Sequence, residues 1–170
     1  MTLQETLQTH AFTEGLDDRA LVSLTSLAHE VTFAEGELVL ENDRYSEFFY
    51  LVVSGSVTIQ LHTPRVTVSV QAVGPGEAFG WSSLLDYQDT LFQVRAREQT
   101  TALRISGTAL KDLCRTDPAA GTEILLRLLK VVAGRVKATE ARFAEMCGVR
   151  VSRTGSINAR VGTLTTIGIR

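Results

Sequence analysis

The sequence contains few of the residues that build metal centres, disulfide frameworks or membrane spans. Among its 170 residues are only 2 cysteines and 3 histidines, and His10, His29 and His62 lie far apart. Two thiolates cannot hold an iron–sulfur cluster that needs four, and the scattered histidines do not predict a metal site. No stretch approaches the roughly 18 apolar residues of a membrane span, so we expect no membrane partner.

Signatures of catalysis and of export are also missing. The segment Gly80-Trp81-Ser82-Ser83-Leu84 lacks the second glycine of a nucleophile elbow, and no Ser/His/Asp order is present. We therefore expect that the protein is not an enzyme. The N-terminus has no apolar run behind a basic start, which together with the two cysteines predicts a cytoplasmic protein with reduced, buried thiols.

Positive charge is scarce over most of the chain. Residues 1–126 hold 8 basic and 17 acidic side chains, whereas residues 127–170 hold 9 basic and 2 acidic ones. An acidic body repels nucleic-acid phosphates, so any contact with nucleic acid would use the last quarter of the chain. With 44% apolar and 21% charged residues, the composition is typical of a globular protein.

Hydrophobic patterns predict a β-rich region between helices. Apolar residues recur at helical spacing over Leu16–Ala28, and Asp17 and Asp18 lie at its start. About seven or eight short strands follow between Glu30 and Ile105, at the spacing typical of a compact sandwich or barrel. Helices are predicted again at 107–115 and 118–146, the second ending near Gly148, a usual place for a left-handed C-cap.

The predicted helix 118–146 carries two apolar stripes. One has the alternating four- and three-residue spacing of a coiled-coil seam and consists of Leu125, Leu129, Val132, Val136, Thr139, Phe143 and Met146. The other, formed by Ile124, Leu128 and Val131, can pack on the barrel at the same time. We therefore expect a homodimer through this helix; the alternative is one wide stripe buried against its own domain.

A glycine-rich segment, residues 74–85, interrupts the strands with a turn and a short helical run. Glycine lets backbone approach a ligand closely, and N–H groups at a helix start can bind an anion. Ser82 and Ser83 add hydroxyl groups to this segment. It is the candidate ligand-binding segment, although most glycine-rich turns only reverse the chain.

The order of these parts resembles the cyclic nucleotide-binding domain, and more specifically the sensor half of catabolite-activator-type (Crp/Fnr) bacterial transcription regulators. The resemblance covers roughly residues 16–146 and rests on 49–57, 75–80, 94–96 and the helix from Leu125. It implies a mainly β fold with flanking helices. That fold is a double-stranded β-helix, or jelly-roll barrel, at about 30–106, with an N-terminal helix, a hinge helix and a long C-terminal dimerisation helix. Residues 1–146 would form the sensor domain and 147–170 a basic, flexible tail without a helix-turn-helix domain.

The resemblance also implies a binding site, and two of its charged contacts are replaced. Trp81 stands where the family has a Glu that bonds the ribose, and Thr90 where an Arg pairs with the cyclic phosphate. Asn42 replaces a glycine at a turn, where left-handed backbone suits it. The ligand-binding residues implied are Gly80, Trp81, Ser82, Ser83, Thr90, Leu91 and Thr139.

Two of those residues admit a second interpretation. Thr139 matches a dimer-helix threonine that reaches the purine in cyclic-AMP-responsive members, or it sets the register of the coiled coil. Trp81 either fills the space left by a lost ligand or stacks on an aromatic ligand. The ligand is then cyclic AMP, cyclic GMP or another small anion, and no further cofactor is implied.

Three functions stay open. The first is a ligand-sensing regulatory domain, the second a ligand-free dimerisation module, and the third weak, non-specific DNA binding through the tail arginines Arg150, Arg153, Arg160 and Arg170. The tail lacks the apolar-periodic helices needed to read a DNA groove, so specific DNA binding is not expected. The basic residues of the long helix are interpreted as the exposed face of a coiled coil: Arg127, Lys130, Arg135, Lys137 and Arg142.

Overall fold

The computed structural model describes residues 2–85 and 91–148. Within these ranges, helices flank a β domain on both sides. The helices are α1 (Leu3–Thr9), α2 (Asp18–Leu27), α3 (Gly107–Thr116) and α4 (Pro118–Met146). The strands are β1 (Ala28–Phe33), β2 (Leu38–Leu40), β3 (Phe48–Ser54), β4 (Val57–His62), β5 (Thr67–Val73), β6 (Ala78–Phe79), β7 (Phe92–Ala96) and β8 (Thr100–Ser106).

The strands form two antiparallel four-stranded sheets with non-consecutive neighbours. Their orders are β1-β8-β3-β6 and β2-β7-β4-β5. Side chains of both sheets share one apolar cluster, so the sheets face each other as in a jelly roll. The predicted fold class, a mainly β jelly roll with a long C-terminal helix, is confirmed.

Strand β3 explains why the sequence has a continuous apolar run instead of an alternating one. Tyr50 and Val52 point between the two sheets, whereas Phe49 and Leu51 point to a second cluster that packs under the helices. All four side chains are at most 6% exposed. A strand covered on both faces loses the polar alternation that marks a half-exposed strand.

The N-terminal region differs from the prediction. Helix α1 was not predicted, and it is opened by a capping box in which Thr2 Oγ1 accepts from the N–H of Glu5. Helix α2 begins at Asp18 because Asp17 is its N-cap and accepts from the N–H of Ala20 at 2.7 Å. At the turn before β3, the left-handed residue is Asp43 (φ +57°), not Asn42.

Helix α4 has the predicted bounds, and its two stripes separate as predicted. Ile124 and Leu128 are buried in the cluster under the helices. The seam side remains open, with exposed fractions of 51% for Leu125, 62% for Leu129 and 69% for Phe143. The alternative of one wide stripe buried against its own domain is therefore wrong.

The end of α4 lies where the sequence predicts it. The helix ends at Met146, and Gly148 follows with φ +76°, as predicted. The flexible tail is predicted at 147–170, of which only 147 and 148 are described, and its arginines lie outside the described residues. None of the helices within 2–85 and 91–148 combines the length and apolarity needed to cross a membrane.

Candidate ligand-binding site

The candidate segment leaves the barrel at β6 and turns sharply. Gly80 follows the buried Phe79 with φ +80°. A Cβ at Gly80 would lie 2.5 Å from the carbonyl oxygen of Phe48, so this close approach of two backbones requires glycine. The chain then forms the 3-10 helix Trp81–Leu84.

Ser83 anchors this turn. It is fully buried, and its N–H and Oγ donate to the carbonyl oxygen of Gly80 at 3.1 and 2.8 Å. The carbonyl oxygen of Ser83 lies against Gly107, the first residue of α3, where a Cβ would clash with it. The predicted ligand residue Ser83 thus ties the turn to α3.

A cavity of about 180 Å³ opens in front of the turn. It is bordered by strands β2, β4 and β7, by the segment before β3 and by helix α4. Its lining residues are Leu40, Glu41, Arg44, Tyr45, Ser46, Ile59, Gly80, Trp81, Ser82, Phe92, Val94 and Arg135. The geometry therefore brings the predicted turn, the barrel wall and the long helix to one concave site.

The structure brings some of the predicted ligand residues together and leaves others apart. Gly80, Trp81 and Ser82 line the cavity, and the half-buried Trp81 also packs against the cluster under the helices. Leu91 is 55% exposed and is not part of the lining. Thr139 is exposed on α4, where its Oγ1 donates to the carbonyl oxygen of Arg135 at 2.9 Å. Thr90 lies outside the described residues.

Of the lining residues, only Gly80, Trp81 and Ser82 were predicted from the sequence, and Arg135 is the most deeply buried charged residue among those that were not. Its interpretation as part of an exposed basic face is wrong, because the side chain is 9% exposed and points to the barrel. Its Nη1 donates to Oε1 of Gln71 at 2.6 Å. Burial lowers the pKa of Arg135 to about 10, although the Glu77 carboxylate opposes this effect.

A signal for Arg135 exists in the sequence. The residue continues the barrel-facing stripe of Ile124, Leu128 and Val131 at the same spacing of four and three. A charged residue at the next position of a buried stripe is an exception to the apolar pattern, and such exceptions often mark functional positions. A sum of charges over the last quarter of the chain does not reveal that Arg135 lies on the barrel-facing stripe.

A larger groove of about 680 Å³ lies on the other side of Arg135. It runs between α4 and the β5–β6 region, and includes Gln71 and Glu77. Arg135 lines both spaces, so it stands between the cavity in the barrel and the side of α4 next to the seam.

The described residues of this site do not form a metal-binding cluster. Among residues 2–85 and 91–148, no group of three or more His, Cys, Asp or Glu side chains is arranged to hold a metal ion. Among the described residues, the charged ones that line the small cavity are Glu41, Arg44 and Arg135, and Glu41 pairs with Arg44 at 2.9 Å.

The chain thus combines a jelly roll with a cavity that is bordered by a glycine turn and by a long C-terminal helix. Residues 30–117 match the family described as cyclic nucleotide-binding domain. Because this match covers just over half of the 170 residues, the chain belongs to that family. The resemblance stated from the sequence is confirmed.

Several known proteins are similar to this chain. The "CRP-like cAMP-activated global transcriptional regulator" of Mycobacterium tuberculosis is 25% identical over 146 residues, which are 85% of this chain and 63% of the regulator. The "Potassium channel AKT1" of Oryza sativa is 30% identical over 141 residues, which are 77% of this chain and 15% of the channel. A crystal structure of a cyclic nucleotide-binding domain from Methylobacillus flagellatus has a TM-score of 0.72 at 19% identity, covering 85% of this chain and 82% of that one.

The two sequence relatives are longer than the region that matches this chain. The chain spans 15% of the channel and 63% of the regulator, so it corresponds to one part of each. The structural likeness, at 19% identity, concerns the fold.

Proposed function

We propose that this chain is a ligand-sensing regulatory domain that forms a homodimer through α4 and has no catalytic role. One observation carries the proposal: the cavity in the barrel is bordered both by the Gly80–Ser82 turn and by α4. A ligand in this cavity would contact the helix whose other face carries the exposed seam. Ligand binding could therefore bias the position of the helix relative to the barrel.

The proposed ligand is cyclic AMP, cyclic GMP or another small anion. The name of the M. tuberculosis relative says that it is activated by cAMP, which supports testing this ligand first. The phosphate-binding loop has departed from the family pattern, with Trp81 and Thr90 in place of Glu and Arg. Losing such a charge-assisted pair costs about 2–4 kcal/mol, or roughly 30- to 1000-fold in affinity, unless another cation replaces it.

The dimer is proposed from the exposed seam. Leu129, Val136, Phe143 and Met146 are between 49% and 69% exposed, and they follow one another at coiled-coil spacing along α4. An apolar stripe of this length is unfavourable in water, and a second copy of the helix can cover it with the same stripe.

A ligand-free dimerisation module is the second candidate. Two observations favour it: Trp81 packs against the cluster under the helices, and the cavity of about 180 Å³ is small. Typical ligand pockets hold roughly 300–1,000 Å³. A cyclic nucleotide would therefore require Trp81 to move away from its packed position.

Ligand binding can be measured through Trp81, because it is the single tryptophan of the chain and lines the cavity. We expect cyclic AMP or cyclic GMP to change its fluorescence, to give heat in calorimetry and to raise Tm. A Trp81→Phe variant is the control for the fluorescence signal, since its Tm shift should persist without the emission change. No heat and no Tm shift with either nucleotide would favour the ligand-free module.

The dimer is tested separately by sedimentation equilibrium. Leu129→Glu places a charge in the seam and should convert the dimer to a monomer. Lys137→Glu is the matched control, because it introduces the same side chain on α4 away from the seam. A monomeric wild-type protein at micromolar concentration would contradict the proposed homodimer.

A further inference from the structure

The segment between β2 and β3 borders the small cavity and lies along the Gly80 turn. Tyr45 Oη lies 3.5 Å from the carbonyl oxygen of Ser83, and a Cβ at Gly80 would lie 2.5 Å from the carbonyl oxygen of Phe48. The segment therefore runs next to the turn from Tyr45 to the start of β3. Four of its residues line the cavity: Glu41, Arg44, Tyr45 and Ser46.

A tight turn inside this segment places two opposite charges at the cavity. Asp43, with φ +57°, is the one non-glycine residue with a positive φ in the described ranges 2–85 and 91–148. Glu41 and Arg44 stand on either side of Asn42-Asp43, and Arg44 Nε lies 2.9 Å from Glu41 Oε2. Both charged side chains thus reach the cavity side of the turn, where they form an ion pair.

The ion pair between Glu41 and Arg44 is too exposed to be a strong structural contact. The side chain of Arg44 is 72% exposed and that of Glu41 is 47% exposed. Exposed ion pairs contribute little, because water screens the charges and two flexible side chains must be ordered. By contrast, the side chain of Arg127 is 15% exposed and is held by Glu123 and by the carbonyl oxygen of Glu14. Arg44 can therefore change its partner at little cost in stability, whereas Arg127 cannot.

We propose that Arg44 leaves Glu41 to pair with the anionic group of a phosphate-bearing ligand, and that Glu41 competes with the ligand for this arginine. The inference rests on the proposed ligand-sensing function and deepens it. A phosphate offers two oxygens to the forked guanidinium, which is a stronger pairing than a contact through Nε alone. Trp81 and Ser82, the side chains of the adjacent turn that line the cavity, carry no charge, so the cation comes from the neighbouring segment.

This change of partner makes the affinity of the site depend on Glu41. The carboxylate is tethered two residues away from Arg44, so it is present at a high effective concentration and the ligand must displace it. Removal of its charge frees Arg44. Glu41→Gln should therefore strengthen binding, whereas Arg44→Gln should weaken it.

The test measures the dissociation constants of cyclic AMP, cyclic GMP and inorganic phosphate by calorimetry at constant ionic strength. Arg44→Gln should weaken binding about 10-fold or more. Arg44→Lys should weaken it less, because the ammonium keeps the charge but lacks the fork. Glu41→Gln should strengthen binding about 2- to 5-fold, the range that an exposed ion pair is worth. Should Arg44→Gln not fold, Arg44→Lys and Glu41→Gln give the same comparison.

Two exposed residues outside the cavity lining provide matched controls, Arg65→Gln for Arg44 and Glu35→Gln for Glu41. Each control changes the net charge as its counterpart does, and each should bind the probes as wild type does. The double variant Glu41→Gln/Arg44→Gln should bind like Arg44→Gln alone, because Glu41 acts through Arg44.

The outcomes separate this inference from the proposed function. Loss of phosphate binding in Arg44→Gln would support a free anion as the ligand, and loss of nucleotide binding would support a cyclic phosphodiester. Equal binding of a probe to wild type and Arg44→Gln would overturn the inference and leave the ligand-sensing function standing. A gain from Glu41→Gln that is the same with and without Arg44 would overturn the competition between Glu41 and the ligand. No binding of any probe to wild type would overturn both the inference and the proposed function.

Discussion

The close packing of α3 against α4 can be tested by mutation, because this contact depends on a single glycine, Gly121. Gly121 is buried near the start of α4 and faces the backbone of Cys114 in α3. A Cβ at Gly121 would lie 2.6 Å from the carbonyl oxygen and 2.7 Å from the Cα of Cys114. Both atoms belong to backbone, so they cannot move aside as a flexible side chain could.

The expected effect of Gly121→Ala is the balance of two opposing contributions. Replacing glycine by alanine inside a helix is favourable by about 0.5–1 kcal/mol, because the unfolded chain becomes less free. Overpacking a methyl group into a tight contact costs about 1–3 kcal/mol. We therefore expect Gly121→Ala to lower the free energy of unfolding by up to about 2.5 kcal/mol.

Gly134→Ala is the matched control on the same helix. A Cβ at Gly134 would meet no heavy atom within 4 Å, and the residue lies away from the seam. Gly134→Ala therefore adds the helix-stabilising effect of alanine without overpacking, so the free energy of unfolding should rise by about 0.5–1 kcal/mol. Urea denaturation of both variants and wild type measures the difference. A Gly121→Ala protein as stable as Gly134→Ala would refute the close packing of α3 against α4.

Three further variants test other parts of the structure. His10 is neutral in the fold, since Nδ1 accepts from the N–H of Phe12 and Nε2 donates to the carbonyl oxygen of Val52. Burial lowers the pKa of His10 below that of the unfolded chain. The stability that the neutral ring contributes is therefore complete above about pH 6.5 and is lost as the pH falls below that value. Urea titrations between pH 7 and 5 should therefore show a steeper loss of stability for wild type than for His10→Gln. Asp117→Ala should cost about 1–2 kcal/mol in the same assay, because Asp117 caps α4 through the N–H of Ala120 at 3.2 Å. Trp81→Ala removes a half-buried indole that contacts the core, so it should lower stability by about 1–3 kcal/mol. It should also enlarge the cavity, and cyclic nucleotide binding should become stronger if the indole only fills space.

The fold could be predicted from the sequence where a pattern has a single physical cause. Helix α4 has the predicted bounds because Asp117-Pro118 opens it and Gly148 can adopt the left-handed conformation that ends it. The jelly roll followed from the number and spacing of short strands. Helix α1 was missed because it has only 7 residues and too few turns to establish an apolar period.

The candidate site could be predicted only in part. Gly80, Trp81 and Ser82 are adjacent in sequence, so a local motif was enough to group them. Ser83 shares that motif, but its backbone and hydroxyl are used within the turn and its carbonyl oxygen faces α3. Which side of a one-turn helix faces a cavity depends on tertiary contacts, which the sequence of the turn does not contain.

Two glycine contacts connect the site to the long helix. Gly107 allows the start of α3 to lie against the Ser83 carbonyl, and Gly121 allows α4 to lie against the end of α3 at Cys114. The turn, α3 and α4 are therefore in close contact through their backbones. Arg135 offers a second, direct connection, because it reaches from α4 to the cavity itself.

Arg135 shows that the position of a charge on a helix matters more for its interpretation than the charge balance of the segment. When charges are summed over segments of the sequence, Arg135 belongs to the basic last quarter, which suggests contact with nucleic acid. When residues are grouped by helical face instead, Arg135 is the charged member of the stripe of Ile124, Leu128 and Val131. It is buried against residues of the acidic part of the chain, 1–126. The resemblance implies a charged turn where this chain has the neutral Trp81, whereas Arg135, which also lines the cavity, belongs to α4. Under the proposed ligand-sensing function, a ligand in this cavity would contact both the barrel and α4, so its departure would weaken the contact between the two.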